Sequence, residues 1–155
     1  MVTQATPGAG KPAPMLLLGE QLCFALYSTT LAMNKVYRRL LRELDVTYPQ
    51  YLVLLVLWER DGLMVSEIGG RLFLDSATLT PLLKRMQAQG LLVRERAAED
   101  ERQVVVSLTE HGRDLKRRAR IVQEGVLCAS GCTPDELASI RDTLVLMRGK
   151  MFLNP

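Results

Sequence analysis

The stretch Asp75-Ser76-Ala77-Thr78-Leu79-Thr80-Pro81-Leu82-Leu83-Lys84-Arg85-Met86 constrains this chain more than any other. Leu79, Leu82, Leu83 and Met86 recur at three- and four-residue spacing, which predicts a helix with one apolar face turned inward. Ala77, Pro81, Lys84 and Arg85 then face outward, flanked by Thr78 and Thr80. A second helical segment, Val65–Leu74, comes before it. After it come Gly90, a strand-like run Leu91–Arg96, a charged turn Ala97–Arg102 and a second strand-like run Gln103–Leu108. That order predicts a helix-turn-helix followed by a β-wing, an arrangement that reads duplex DNA.

The residue types suit the task. Ser76, Ala77 and Thr78 are small enough to let a helix N-terminus approach the major groove. Their hydroxyls and backbone N–H groups, with Thr80 behind them, meet phosphates or base edges. Lys84 and Arg85 reach phosphate or guanine. Arg102, at the hairpin tip, suits a minor groove, whose negative potential favours a cation. Asp100 beside it is an ion-pair partner that steers the guanidinium. Arg94 and Arg96 are weaker candidates for DNA contact, whose alternative reading is as solvated strand charges. Pro81 lies several residues into the helix, where it deletes a backbone hydrogen bond and should bend the axis.

The charge distribution agrees with this placement. The chain has 155 residues and a net charge of +3, too mild to define a nucleic-acid binder. Between Lys84 and Arg120, however, ten Lys/Arg face six Asp/Glu, against ten and eleven in the rest. The positive field therefore concentrates around the wing, where phosphates would lie. No apolar run is long enough to span a bilayer. Residues 1–14 are rich in Ala, Pro and Gly, have no hydrophobic signal core and read as a disordered arm. A cytoplasmic protein is expected, and in a reducing compartment its three cysteines are free, metal-bound or redox-active rather than a disulfide framework.

Elsewhere the pattern is helical. Leu16 to about Leu44 carries Leu18, Leu22, Ala25, Leu26, Thr29 and Met33 at helical spacing, as one long helix or two with a break near Met33–Lys35. Thr47-Tyr48-Pro49-Gln50 matches a capping box and opens a helix through Leu52, Leu55, Val56 and Trp58, which ends before the Asp61-Gly62 turn. Thr109 caps a helix expected to reach about Leu127. Thr133-Pro134-Asp135-Glu136 opens a last one to about Met151. In Val65–Leu74, Gly69 and Gly70 each cost roughly 1 kcal/mol relative to alanine; close approach of a crossing helix would offset that.

Chemistry-bearing residues are few. Cys23 lies one turn from Tyr27, and all four tyrosines, Tyr27, Tyr37, Tyr48 and Tyr51, fall close to it in sequence. A helical cysteine is commonly a buried small hydrophobe. A reactive one needs its thiolate stabilised, which phenolic O–H groups can do by hydrogen bonding without adding charge. Cys128 and Cys132 flank Gly131 at an expected helix end, where mobility would help a thiol travel. The spacing of the three cysteines and His111 fits no usual metal-ligand pattern, so no metal site and no cofactor is expected. His111 reads as a solvent-exposed residue in the first turn of a helix. Nothing resembles a hydrolase triad or a phosphate-binding glycine loop, and no enzymatic activity is expected.

Asp75–Gly90 followed by Val93–Thr109, with Asp-Glu-Arg at 100–102, resembles the winged helix of the MarR family of transcriptional regulators. Glu20-Gln21-Leu22-Cys23-Phe24-Ala25-Leu26-Tyr27, Leu44-Asp45-Val46-Thr47-Tyr48-Pro49-Gln50-Tyr51-Leu52 and Leu74–Pro81 are similar, more narrowly, to its organic-hydroperoxide sensor branch, OhrR. The likeness covers roughly Leu17 to Met147. It implies a mainly α fold with a small β-wing: a single regulator domain over 15–155, with dimerisation helices at about 15–45 and 110–151 and the winged helix-turn-helix at about 48–109. It implies a homodimer on palindromic double-stranded operator DNA and organic hydroperoxides, lipid or alkyl, as inducer. By the same resemblance Cys23 is the peroxidatic thiol. Tyr37 and Tyr48 are its hydrogen-bond donors, supplied from the partner subunit. Glu124–Cys132 matches the two-cysteine subclass, with Cys128 as resolving thiol and Cys132 the lesser candidate. The expected mechanism is oxidation of Cys23, disulfide formation with Cys128 and release from DNA. Three other readings fit parts of the chain: a repressor released by a small aromatic or phenolic ligand, with Cys23 as core; a thiol peroxidase, for which a basic wing tip has no use; and a helical scaffold without DNA affinity, in which the hairpin is incidental.

Overall fold

The structure, a computed structural model, describes residues 16–100 and 102–154; the arm expected over 1–14 lies outside them. In chain order the elements are α1 (Leu22–Leu40), α2 (Tyr48–Glu59), β1 (Leu63–Met64), α3 (Val65–Leu72), α4 (Ser76–Ala88), β2 (Leu92–Arg96), β3 (Val104–Leu108), α5 (Glu110–Arg118), α6 (Arg120–Ser130) and α7 (Pro134–Leu153). The fold is mainly helical with a small β-wing, as expected, and the two wing strands are joined by a third, β1, in one antiparallel sheet.

The chain divides into two compact units, 1–32 and 33–155. The described part of the first is a 3-10 turn, Leu18–Glu20, and the N-terminal portion of α1. Ser28 and Thr30 hydroxyls donate to the Phe24 and Leu26 carbonyls, each at 2.8 Å, which satisfies them within the helix. No residue of α1 is buried, and Leu22, Phe24, Tyr27 and Leu31 all face outward. The helix runs unbroken to Leu40, so the break considered near Met33–Lys35 is absent; a 3-10 turn, Leu41–Leu44, ends it instead. Leu41 and Leu44 are buried there, and Asp45 adopts a left-handed backbone, φ 52°, that closes the turn.

The second unit is built on one core. Val53, Leu54 and Leu57 of α2, Ile68 of α3, Leu79, Leu83 and Met86 of α4, Leu92 of β2 and Val106 of β3 are each at most 1% exposed. The capping box at Thr47 forms as expected, with the Thr47 N–H donating to Gln50 Oε1 at 2.8 Å. The sheet has the order β1-β3-β2, with Leu63 opposite Val106 and Leu92 opposite Leu108. Strand β1 was not legible in sequence, because two residues carry no periodicity.

Three helix limits differ from expectation. Helix α3 stops at Leu72, where Phe73 takes a left-handed φ of 57° and turns the chain toward α4. The helix expected from Thr109 to about Leu127 is two helices. A turn at Ala119, whose carbonyl accepts the Val122 N–H at 3.0 Å, separates α5 from α6 and seats both residues in the core. Helix α7 opens on its capping box at Thr133 and extends to Leu153. The two α3 glycines also differ from one another. A Cβ on Gly69 would lie 2.7 Å from the Leu74 carbonyl oxygen, so the close neighbour is the turn leaving its own helix as well as Leu79 of α4. Gly70 faces open space.

Adjacent substitutions should therefore act in opposite directions. Gly70→Ala is expected to raise stability by up to ~1 kcal/mol through helix propensity. Gly69→Ala should lower it by about 1–3 kcal/mol by forcing backbone apart. Urea unfolding midpoints of the two variants check both signs.

Candidate functional site

Helix α4 is held at both ends. The Asp75 carboxylate accepts the Thr78 N–H at 2.7 Å, and that bond, first among the causes, lowers its pKa below the usual carboxylate value. At the other end Leu91 N–H donates to Met86 O at 3.0 Å and Gly90 N–H to Gln87 O at 2.9 Å, with Gly90 at φ 68°. This paired closure uses a left-handed glycine to satisfy the last carbonyls. Along the length Leu79, Leu82, Leu83 and Met86 are buried, so Ser76, Ala77, Thr78, Pro81, Lys84 and Arg85 face outward and Thr80 is half-buried. The helix continues through Pro81. That proline removes the N–H that would otherwise meet the Ala77 carbonyl.

The wing follows directly. Strands β2 and β3 pair from Leu92↔Leu108 to Arg96↔Val104. Asp100 organises the tip: its Oδ1 accepts the Arg102 N–H at 3.0 Å, its Oδ2 the Gln103 side-chain amide at 3.3 Å, and its carbonyl the Gln103 N–H at 2.9 Å. The carboxylate thus acts on Arg102 through the backbone, where the sequence suggested an ion pair with the guanidinium. Arg102 is exposed, and no ion pair engages it among the described residues. Arg94, expected as a weaker DNA contact or a solvated charge, donates from Nε to Gln87 Oε1 at 2.8 Å and so ties the wing to α4.

Several residues that fix this geometry were not singled out from sequence. Asp61 accepts the Gly62 N–H at 2.9 Å and the Leu108 N–H at 2.8 Å, and pairs with Arg113 at 3.0 Å, joining the ends of α2 and β3 to α5. Trp58 Nε1 donates to the Gly112 carbonyl at 2.9 Å, while Lys116 donates to the Trp58 carbonyl at 3.0 Å. The open cavity of about 310 Å³ between these groups has both its cations already engaged. Only the turn signal at Asp61-Gly62 was visible beforehand.

The thiol-related residues separate into two sets. Cys23 is free and exposed in the first turn of α1. Cys128 is free and exposed two residues before the end of α6, whose C-cap is Gly131 at φ 66°. Cys132, half-buried, donates from its backbone N–H to Ser130 Oγ at 3.2 Å. Tyr37 and Tyr48 are brought together, with ring centroids 4.4 Å apart, and Tyr51 stands 6.1 Å from Tyr37. Tyr27, the fourth tyrosine, is exposed. Burial, then the neighbouring Tyr48 and Tyr51, push the Tyr37 hydroxyl up to about 12, and burial raises Tyr48 and Tyr51 as well. All three phenols stay protonated, and able to donate, across the physiological range.

Because these phenols ionise more easily in the unfolded chain, their contribution to stability is fully present below pH 10 and is lost as pH rises toward about 12. The unfolding midpoint should drop over that window in the wild type and drop less in Tyr37→Phe, as followed by circular dichroism.

Among the described residues no helix is long and apolar enough to cross a membrane, and no group of three His, Cys, Asp or Glu side chains is placed to hold a metal. A family profile described as transcriptional regulator SarA/Rot matches residues 35–119. The chain is 52% identical over 134 residues to the HTH-type transcriptional regulator TtmR of Methylorubrum extorquens, covering 86% of this chain and 69% of that one. It is 48% identical over 127 residues to the organic hydroperoxide resistance transcriptional regulator of Bacillus subtilis, covering 82% and 86%. Among solved structures it is similar to AbfR of Staphylococcus epidermidis. The match to reduced AbfR bound to DNA has a TM-score of 0.71 at 35% identity, covering 87% of this chain and 94% of that one. The match to disulfide-formed AbfR has a TM-score of 0.61 at 37% identity, covering 84% and 91%.

Proposed function

This chain belongs to the winged-helix transcriptional regulators of the MarR/SarA type, and we propose that it is a repressor released from operator DNA by organic hydroperoxides through Cys23. The coarser part, a DNA-binding transcriptional repressor of MarR/OhrR type, follows from the family. What supports the finer part is the set of groups the chemistry needs: Cys23 is a free thiol on α1, and Tyr37 and Tyr48, the phenols that would hydrogen-bond its thiolate, stand together with ring centroids 4.4 Å apart. The relative of Bacillus subtilis, named for organic hydroperoxide resistance, and the existence of a disulfide-formed AbfR support it.

The chemistry runs in two steps. The Cys23 thiolate attacks a peroxide oxygen, the O–O bond breaks, the alkoxide leaves and takes a proton, and the sulfur becomes a sulfenic acid. The Cys128 thiolate then attacks that sulfur, the S–S bond forms, and hydroxide leaves as water. Tyr37 and Tyr48 donate hydrogen bonds to the thiolate from a partner subunit, a role that their raised pKa values favour because it requires the protonated phenol. Ser76, Ala77, Thr78, Thr80, Lys84 and Arg85 face the major groove and Arg102 the minor groove, with Asp100 shaping the tip that presents it. A disulfide constrains its two sulfurs to about 2.05 Å, so closing it moves the α6 end and misplaces the two recognition helices relative to the half-sites.

A homodimer is part of the same proposal. Neither α1 nor α7 buries a single residue, yet α7 exposes Ile140, Val145, Leu146, Met151, Phe152 and Leu153. Apolar surface of that extent on two terminal helices marks an interface, and a second copy related by two-fold symmetry would cover it. We place this dimer in the cytoplasm, where its thiols start reduced.

The test is fluorescence anisotropy on a duplex of the chain's own upstream region, before and after stoichiometric cumene hydroperoxide. Wild type should lose binding and recover it with dithiothreitol, while Cys23→Ser should keep binding throughout. Cys128→Ser should form the sulfenic acid without a disulfide on non-reducing gels. Equal response of wild type and Cys23→Ser would overturn the redox reading in favour of a ligand-released regulator.

A further inference from the structure

Gln50 stands apart in the core. It is 4% exposed and is the buried polar residue among the described ones. Its position in the capping box accounts for only half of its side chain: Oε1 accepts the Thr47 N–H at 2.8 Å. The amide nitrogen does something a cap does not need. Nε2 donates at 2.7 Å to Gln89 Oε1, thirty-nine residues away. Gln89 is the C-cap of α4, the residue on which the paired closure at Gly90 is built.

Three features make this bond more than filler. Capping is served equally by glutamate, but only the amide both accepts at the cap and donates across to a second helix. A buried amide left without its partner costs desolvation free energy, so the two helices are tied in one arrangement and resist others. And the turn that carries Gln50 also carries Tyr48 and Tyr51, whose rings pack at a tilt against Tyr37. The same turn of α2 therefore faces the tyrosine cluster and grips the C-terminal end of α4.

We propose that Gln50 is a positioning residue for operator recognition: through Gln89 it sets the seating of α4, and it makes the tyrosine-bearing turn of α2 the element to which that seating answers. The proposal rests on the reading of α4 as the helix that enters the groove. It assigns the glutamine of the Thr-Tyr-Pro-Gln-Tyr segment a task that neither helix capping nor thiol chemistry requires. A recognition helix displaced slightly at its C-cap still presents its cations to phosphate, so sequence-independent binding survives while base-edge contacts fall out of register.

The test uses the full-length protein kept reduced with dithiothreitol, so that it does not depend on Cys23. Dissociation constants are measured for Gln50→Met, Gln89→Met and the double variant on two probes. One is a duplex selected from a random pool by the wild-type protein, and the other is a mixed-sequence duplex of the same length. Gln89 is exposed, so Gln89→Met should fold even if Gln50→Met, which also loses the cap, does not. Each single variant is expected to weaken binding to the selected duplex about five- to tenfold, the scale of one hydrogen bond. The double variant should weaken it no further, and binding to mixed sequence should stay within about twofold of wild type. Wild-type affinity of Gln89→Met for the selected duplex, or additive losses in the double variant, overturns the proposal. Parallel loss on both probes also overturns it, since that is a general structural defect. Lys84→Ala run alongside separates the two readings: if it leaves both affinities unchanged, the assignment of α4 to the groove fails, independently of the tether.

Discussion

The burial of one face of α4 is the constraint on which the rest depends. Leu79, Leu83 and Met86 disappear into the same core as Val53, Leu54 and Leu57 of α2, and Leu82 nearly so. Removing that much apolar side chain from water, at roughly 1.5–3 kcal/mol for each fully buried residue, fixes the rotation of the helix about its axis. Rotation decides which residues meet water. Ser76, Ala77, Thr78, Lys84 and Arg85 are outside because the leucines are inside, and the caps at Asp75 and Gly90 then fix where the helix starts and stops. A helix read by DNA must be placed as a rigid body, and here packing and two closures do so together.

Helix α2 is the common support. Its buried face forms the floor under α4, its C-terminal end is joined through Asp61 and Trp58 to β3 and α5, and its first turn carries Tyr48, Gln50 and Tyr51. On the proposed reading, an input at the tyrosines and an output at α4 would both rest on this one twelve-residue element. The terminal helices have the opposite character. No residue of either is fully buried within the chain, although Tyr37 and Leu40 near the end of α1 pack against the core, and on the proposed reading their exposed aliphatic residues would supply the association that gives an operator two recognition helices at fixed spacing.

Legibility followed the length scale of the interaction. The stripe of α4, the capping boxes at Thr47 and Thr133, the cap at Thr109 and the two wing strands are local patterns, and each lies where the spacing put it. The split at Ala119 was not legible, since every residue from Glu110 to Ser130 is compatible with one helix and only the burial of Ala119 and Val122 bends the chain. Gly69 and Gly70 look identical in sequence, yet one meets a carbonyl and the other meets nothing. Of the candidate site, the outward face of α4 and the grouping of Tyr37 with Tyr48 could be anticipated. The engagement of Arg94 with Gln87 and the backbone role of Asp100 could not.

By itself, then, the sequence determined most of the helices, the wing strands and their order, because periodicity, caps and turn chemistry act over a few residues and need no partner, and its motifs carried the resemblance to the family. Tertiary structure alone decided which polar side chains became ties. Gln50 to Gln89, Asp61 to Leu108 and Trp58 to Gly112 join residues thirty-nine to fifty-four positions apart. Nothing in the spacing of such residues marks them as neighbours, and only the packed core brings the donors and acceptors within hydrogen-bonding distance.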